Sequence, residues 1–121
     1  MKEKKSIIKV ALVEDNAGIR KSLERLFAEK DDIEMTRMFG DGESALAELA
    51  ALAPDVVLVD INLPGKSGID VIREAKAALP QVQFLVLTVY DDPARIFQAL
   101  AAGANGYLLK RATPTELLAA I

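Results

Sequence analysis

Short stretches of apolar residues, each of strand length, recur along the chain. The clearest cover residues 7–13, 56–59, 84–87 and 107–109, and a weaker one covers 33–39. Within these stretches the apolar residues are mostly consecutive and do not alternate with polar ones. That pattern is typical of strands buried on both faces of a sheet. The chain therefore contains five predicted strands.

Between these stretches, apolar residues recur every three or four positions, as they do on the buried face of a helix. Asp92 and Pro93 suit the cap and the first position of the fourth helix, and Gly103 suits its end. The capping box "TPTE" at 113–116 predicts a fifth helix, and we expect it to be truncated, because the chain stops at Ile121 with the apolar pattern still running. The apolar positions of the first four helices are Ile19, Leu23, Leu26 and Phe27; Leu46, Leu49 and Leu52; Ile69, Ile72 and Ala75; and Ile96, Phe97 and Leu100.

Strands and helices alternate along the whole chain, and this order predicts an α/β fold with helices on both faces of a parallel sheet. We expect a flavodoxin-like, doubly wound sheet of five strands in the order 2-1-3-4-5, a (βα)5 unit whose last helix is truncated. Residues 1–121 form one predicted domain, since no linker or repeat interrupts the pattern.

Composition removes several classes of function. The chain of 121 residues has 18 acidic and 15 basic side chains, and a net charge of -3 offers no basic surface for nucleic acid or an anionic membrane. It contains no cysteine and no histidine, which excludes disulfides, zinc sites of the usual kind and histidine general bases. No run approaches the ~20 apolar residues of a membrane span, and the charged start does not resemble a secretory signal, so we expect a cytoplasmic protein.

Reactive side chains follow four of the five predicted strands: Glu14 and Asp15 follow the first, Asp60 the third, Thr88 the fourth and Lys110 the fifth. In a doubly wound sheet these strand ends share one edge, and the first and third strands are neighbours where the strand order reverses. Three carboxylates in one cleft repel by about 4 kcal/mol per pair at about 4 Å, so the site must either hold protons or recruit a cation. Its oxygen ligands would select a hard divalent ion such as Mg2+. A carboxylate, a metal, a lysine and a hydroxyl together indicate phosphoryl transfer to Asp60.

Four motifs in register then identify a resemblance. The segments "VEDN", "LVDINLPGKSG", "LTVYDD" and "GANGYLLK" contain the residues named above, in the same order. Over essentially the whole chain the sequence resembles a response regulator receiver domain of two-component systems. The last two motifs are similar to those of receivers in LuxR/NarL-type transcriptional regulators.

The resemblance implies a role for each carboxylate. Asp60 would be the phosphoacceptor, taking a phosphoryl group from the phosphohistidine of a histidine kinase. Asp15 and Asp60 would bind Mg2+ together with the backbone carbonyl of Asn62, and Glu14 would act largely through water.

It also implies how phosphorylation changes the domain. Thr88 and Lys110 would contact the phosphoryl group, and Tyr107 would be the switch aromatic whose ring turns inward as Thr88 moves. The face made by the fourth helix, the fifth strand and the fifth helix would repack, which favours a homodimer. DNA would be bound only through a C-terminal output domain absent from this chain, and no membrane is involved. The domain would not be an enzyme beyond promoting its own phosphorylation and dephosphorylation.

The sequence departs from the usual receiver pattern at a few positions. Val89, after Thr88, is bulkier than the alanine or glycine common there and would narrow access to Asp60. Arg111 stands where many receivers have a cis proline, so the bond before it is expected to be trans. Asn62 and Tyr90 occupy positions that tune the loss of the phosphoryl group. Ile19, at the predicted rim of the cleft, is a candidate contact for the kinase.

Other functions remain open at this point. A receiver-like interaction module would share every motif and work without phosphorylation. A flavodoxin-like cofactor binder would use the same crevice, but the loop "EDN" after the first strand repels phosphate unless a metal intervenes. A metal-dependent hydrolase of small phosphoesters would need a substrate cap and a second acid, and neither is evident.

Overall fold

The predicted alternation of strands and helices is confirmed. The computed structural model describes residues 7–63, 65–88 and 93–109, and the predicted fifth helix lies outside them. The five strands are parallel and lie in the order β2-β1-β3-β4-β5, as predicted. The elements are β1 (Ile8–Val13), α1 (Ala17–Ala28), β2 (Ile33–Phe39), α2 (Gly42–Leu52), β3 (Val56–Asp60), α3 (Gly68–Ala78), β4 (Gln83–Thr88), α4 (Pro93–Ala102) and β5 (Gly106–Leu109).

The core consists of two layers, one on each face of the sheet. Every residue of the central strand β3 is buried, because its side chains point alternately into the two layers. Val57 and Val59 pack under α2 and α3, whereas Val56 and Leu58 pack on the side of Phe27 from α1. Burial on both faces explains why the strands appear in the sequence as continuous apolar runs.

Three helices begin at a capping side chain. Asn16, Asp41 and Ser67 each accept a hydrogen bond from the backbone N–H three residues later, which satisfies a donor that the first helical turn leaves open. Helix α4 begins at Pro93, as predicted, and ends before Gly103, whose φ of 123° suits glycine. The predicted cap Asp92 lies outside the described residues.

The buried face of α4 differs from the predicted one. The spacing grouped Ile96, Phe97 and Leu100 on one apolar face, but Phe97 is 71% exposed and Leu100 is 42% exposed. Ile96 and Ala99 are the buried residues of this helix. Phe97 points about 100° away from Ile96 and about 160° away from Ala99, so it lies outside the buried face.

Two of the strands run further than their apolar stretches. β3 includes Asp60 and β4 includes Thr88, so both polar residues are the last members of buried strands and pair with a residue of the neighbouring strand. Within the described part of the chain, no helix has the length and hydropathy needed to cross a bilayer.

Candidate functional site

Three acidic side chains meet at the carboxyl edge of the sheet. Glu14 and Asp15 follow β1, and Asp60 ends the neighbouring strand β3. Each of the three offers a carboxylate oxygen, and these oxygens all lie within 4.8 Å of one another. The structure therefore brings together the three residues that the order of the strands placed at this edge.

Backbone and side-chain hydrogen bonds hold the acidic loop after β1. The N–H of Glu14 donates to the carbonyl oxygen of Phe39 (2.9 Å), which extends the pairing of β1 with β2. Glu14 Oε2 accepts from the N–H of Asn16 (3.1 Å), and Arg20 Nη1 donates to the backbone oxygen of Glu14 (2.7 Å). Glu14 is fully buried, whereas Asp15 is exposed, so one carboxylate of the pair faces the interior and the other faces the opening.

Strand pairing, a hydrogen bond and close packing against α3 fix the position of Asp60. It is only 2% exposed, it pairs with Leu87 in the sheet, and its Oδ1 accepts from the N–H of Asn62 (3.0 Å). On the other side, α3 begins directly against it. The N–H of Gly68 donates to the carbonyl oxygen of Ile61 (3.0 Å), and a Cβ at Gly68 would lie 2.0 Å from the carbonyl oxygen of Asp60.

Thr88 and Tyr107 lie on the strands that continue this edge. Thr88 ends β4, next to β3, and is 3% exposed. Tyr107 lies on β5 opposite Val86, and its side chain is 45% exposed. Ile19, the candidate kinase contact, is half-buried in the first turn of α1, where its N–H donates to Asn16 Oδ1 (3.0 Å). The roles assigned to these residues remain predictions.

Four other predicted positions lie outside the described residues: Val89, Tyr90, Lys110 and Arg111. The contribution of Lys110 to the site and the bond before Arg111 accordingly remain predictions. Asn62 is described. Its backbone lies two residues beyond Asp60, and its side chain is exposed at the mouth of the site.

The donor set fits a hard divalent cation. Three unit charges with separations of up to 4.8 Å repel by at least about 3.5 kcal/mol per pair at an effective dielectric constant of about 20. A divalent cation removes this repulsion, and oxygen ligands without nitrogen or sulfur favour Mg2+ over softer metals. The mixture of two buried carboxylates and one exposed carboxylate also leaves a side open for water or a further ligand.

The sequence analysis assigned no role to two arginines that lie at this edge. Arg20 fixes the acidic loop, and Arg95, on the first turn of α4, donates from Nη1 to Asn62 Oδ1 (2.6 Å). Asn62 and Arg95 are 33 positions apart, so no local spacing connects them. The position of Arg20, one turn into the helix that follows the acidic pair, could have indicated its contact with the loop.

Comparison with known proteins places this geometry in a family. The sequence profile described as "Response regulator receiver domain" matches residues 10–121. The transcriptional regulatory protein YxjL of Bacillus subtilis is 35% identical over 97% of this chain and 54% of its own length, and the transcriptional regulatory protein UhpA of Salmonella typhimurium is 36% identical over 95% and 57%. The chain thus spans about half the length of these relatives. Its structure is similar to the receiver domain of NarL from Mycobacterium tuberculosis, with a TM-score of 0.90 and 30% identity over 95% of this chain and 93% of that one.

Proposed function

Since the chain belongs to the response regulator receiver domain family, we propose that Asp60 accepts a phosphoryl group from a histidine kinase and that this modification switches the domain between two conformations. The family is the receiver of two-component signalling, and the relatives named above are transcriptional regulatory proteins. The observation that carries the proposal is the acidic cluster of Glu14, Asp15 and Asp60 at the carboxyl edge of the sheet.

Receiver domains bind Mg2+ at an acidic pocket, and the oxygen-only donor set of this cluster fits that ion. Asp15, Asp60 and the backbone carbonyl of Asn62 would hold it directly, with Glu14 acting largely through water. When bound, Mg2+ neutralises the charge of the carboxylates and of the incoming phosphoryl oxygens.

The chain's own residues bring the reacting atoms together. A carboxylate oxygen of Asp60 forms a bond to phosphorus while the bond between phosphorus and the imidazole nitrogen of the donor breaks, and the imidazole leaves with the electron pair. The N–H of Asn62, which donates to Asp60 Oδ1 at 3.0 Å, fixes the orientation of the carboxylate. The Thr88 hydroxyl donates to a phosphoryl oxygen, and Lys110 supplies a compensating positive charge.

Phosphorylation is read out through the face that contains α4 and β5. Thr88 moves toward the new phosphoryl group, and the ring of Tyr107, now 45% exposed, turns inward. The exposed side chains of Phe97 and Leu100 on α4 give this face an apolar surface on which a second copy of the chain can bind. The resulting homodimer controls transcription through a C-terminal DNA-binding domain of the LuxR/NarL type.

The chain acts as a signalling switch in the cytoplasm, and its chemistry is confined to its own phosphorylation and dephosphorylation. Asn62, Val89 and Tyr90 tune how quickly the phosphoryl group is lost. The main alternative is an interaction module of the same fold that works without phosphorylation, and the experiment below distinguishes the two. A flavodoxin-like cofactor binder is disfavoured, because it would hold its phosphate at the loop after β1, and that loop carries two of the three clustered carboxylates. A small phosphoester hydrolase is disfavoured, because the substrate cap and the second acid that it would need are not evident in the sequence.

The test is incubation of the purified chain with Mg2+ and acetyl phosphate, followed by measurement of the intact mass. We expect a gain of one phosphoryl group that needs Mg2+ and disappears on addition of a chelator. The variant Asp60→Asn, which keeps the shape of the side chain, should gain nothing, and Asp60→Ala should behave in the same way.

Asp70→Asn is the matched control, since Asp70 is an aspartate at the surface of α3 whose carboxylate pairs with Arg73. It should be labelled as fast as the wild-type chain. A folded wild-type chain that gains no mass with acetyl phosphate, and that does not bind beryllofluoride either, would favour the interaction module.

A further inference from the structure

Helix α4 contacts the loop after β3 through the side chain of Arg95. The Arg95 guanidinium donates from Nη1 to Asn62 Oδ1 at 2.6 Å, and the contact joins the first turn of α4 to the loop after β3. Arg95 is half-buried and Asn62 is exposed. Because the donor is charged and the distance is short, this bond is among the stronger hydrogen bonds available to an exposed amide.

Asn62 is well placed to influence a reaction at Asp60. It follows Asp60 by two residues, its own backbone N–H donates to Asp60 Oδ1 (3.0 Å), and its side chain is exposed. An amide has a carbonyl oxygen that accepts hydrogen bonds and an NH2 group that donates them. While its oxygen accepts from Arg95, that oxygen is directed toward α4 and is less available to a water near the Asp60 carboxylate.

Loss of the phosphoryl group requires such a water. The water oxygen bonds to phosphorus, the bond from phosphorus to the Asp60 oxygen breaks, the carboxylate is restored, and inorganic phosphate carries away the water proton. An acceptor beside the phosphoryl group speeds this step by orienting the water through a hydrogen bond. An amide oxygen that is held toward α4 by Arg95 orients that water less well.

We propose that Arg95 is a positioning residue that holds the Asn62 side chain away from the attacking water and thereby prolongs the life of the phosphorylated state. The inference rests on the proposed phosphorylation of Asp60 and deepens it. The same contact joins phosphoryl lifetime to the position of α4, because any movement of the first turn of α4 away from the loop releases the Asn62 amide.

The experiment is a double-mutant cycle on the rate of phosphoryl loss. The full chain, Arg95→Ala, Asn62→Ala and the double variant are labelled with acetyl phosphate and Mg2+, transferred to buffer without donor, and followed by intact mass. Arg95→Ala should shorten the lifetime about 3- to 10-fold, the factor that one hydrogen bond of ordinary net strength controls. In the Asn62→Ala background the same change should have no effect on the lifetime.

Arg37→Ala is the control, because Arg37 also uses its guanidinium in a surface contact, an ion pair with Glu48 at 3.1 Å on other elements of the fold. The phosphorylated state of Arg37→Ala should last as long as that of the wild-type chain. Urea midpoints show that each variant is folded, and the labelling rate separates formation of the phosphorylated state from its loss.

The outcomes distinguish a failure of this inference from a failure of the proposed function. An unchanged or longer lifetime in Arg95→Ala overturns the inference and leaves the proposed function standing. An equal shortening in the presence and absence of the Asn62 amide also overturns it, because Arg95 would then act by another route. A wild-type chain that gains no phosphoryl group overturns the proposed function, and this inference falls with it.

Discussion

Replacement of Gly68 by alanine should damage both the stability of the domain and the reactivity of Asp60. Gly68 is the first residue of α3, and a Cβ there would lie 2.0 Å from the carbonyl oxygen of Asp60, 2.8 Å from its carbonyl carbon and 2.9 Å from the Cα of Ile61. All three atoms belong to the backbone at the end of a buried strand, so no flexible side chain can move aside.

The size of the effect follows from these distances. Non-bonded carbon atoms settle at about 3.5 Å or more, so the start of α3 and the end of β3 have to separate by more than about 1 Å. Insertion of a methyl group into a packed site of this kind costs about 1–3 kcal/mol of the free energy of unfolding. The gain of about 0.5–1 kcal/mol that alanine brings to a helix interior offsets only part of it. A displacement of about 1 Å at a reacting group slows a reaction by about 100-fold.

The assay combines urea unfolding with the initial rate of labelling by acetyl phosphate, measured where the variant is still folded. Gly40→Ala is the matched control, since a Cβ there would meet only Arg20 Nη1 at 3.7 Å, an ordinary contact. It should match the wild-type chain in both measurements. Wild-type stability together with wild-type labelling in Gly68→Ala would refute the argument, because the two backbones would then be able to separate without displacing Asp60.

Three further predictions follow from other parts of the fold. Ala53 ends α2 in the left-handed region with φ of 46°, so Ala53→Gly should raise the free energy of unfolding by about 0.5–1 kcal/mol; an unchanged or lower urea midpoint would contradict this. Ile96→Ala should lower the free energy of unfolding by about 2–5 kcal/mol, whereas Phe97→Ser should lower it by less than about 0.5 kcal/mol. Equal losses in urea unfolding would mean that α4 buries a different face. The hydrogen bond from the Ser44 N–H lowers the pKa of the cap Asp41 below 3.8, so its carboxylate stabilises the fold above pH 3.8 and this contribution is lost as the pH falls through the lowered pKa. Asp41→Asn should therefore be less stable than the wild-type chain at neutral pH and equal to it in acid, and a difference that persists in acid would count against the assignment.

The strand order and the acidic cluster were predictable because they depend on few physical constraints. A strand buried on both faces needs a continuous apolar run, and β1 and β3 both have one. Parallel strands end at one edge, so residues such as Asp15 and Asp60 meet there although 45 positions separate them in the chain. The chemistry followed from which residue types the chain contains and lacks.

The contacts that adjust the site were not predictable in the same way. The hydrogen bond from Arg95 to Asn62 depends on how α4 is rotated about its axis. The spacing of apolar residues shows that a helix has an apolar face but does not show which residue lies at its centre, as the exposure of Phe97 illustrates. The approach of Gly68 to Asp60 depends on the path of the loop between β3 and α3. In the sequence that glycine is one of two in the turn after β3, and its neighbours do not show which of the two is closely packed.

The most direct test of the central claim is to locate the phosphoryl group after labelling with acetyl phosphate and Mg2+, by cleavage of the chain and mass measurement of the fragments. The account predicts that the added mass lies on Asp60 alone, and that Asp15→Asn is labelled far more slowly because it lacks a carboxylate of the cluster. Label on another carboxylate, or equal labelling without Asp15, would contradict it.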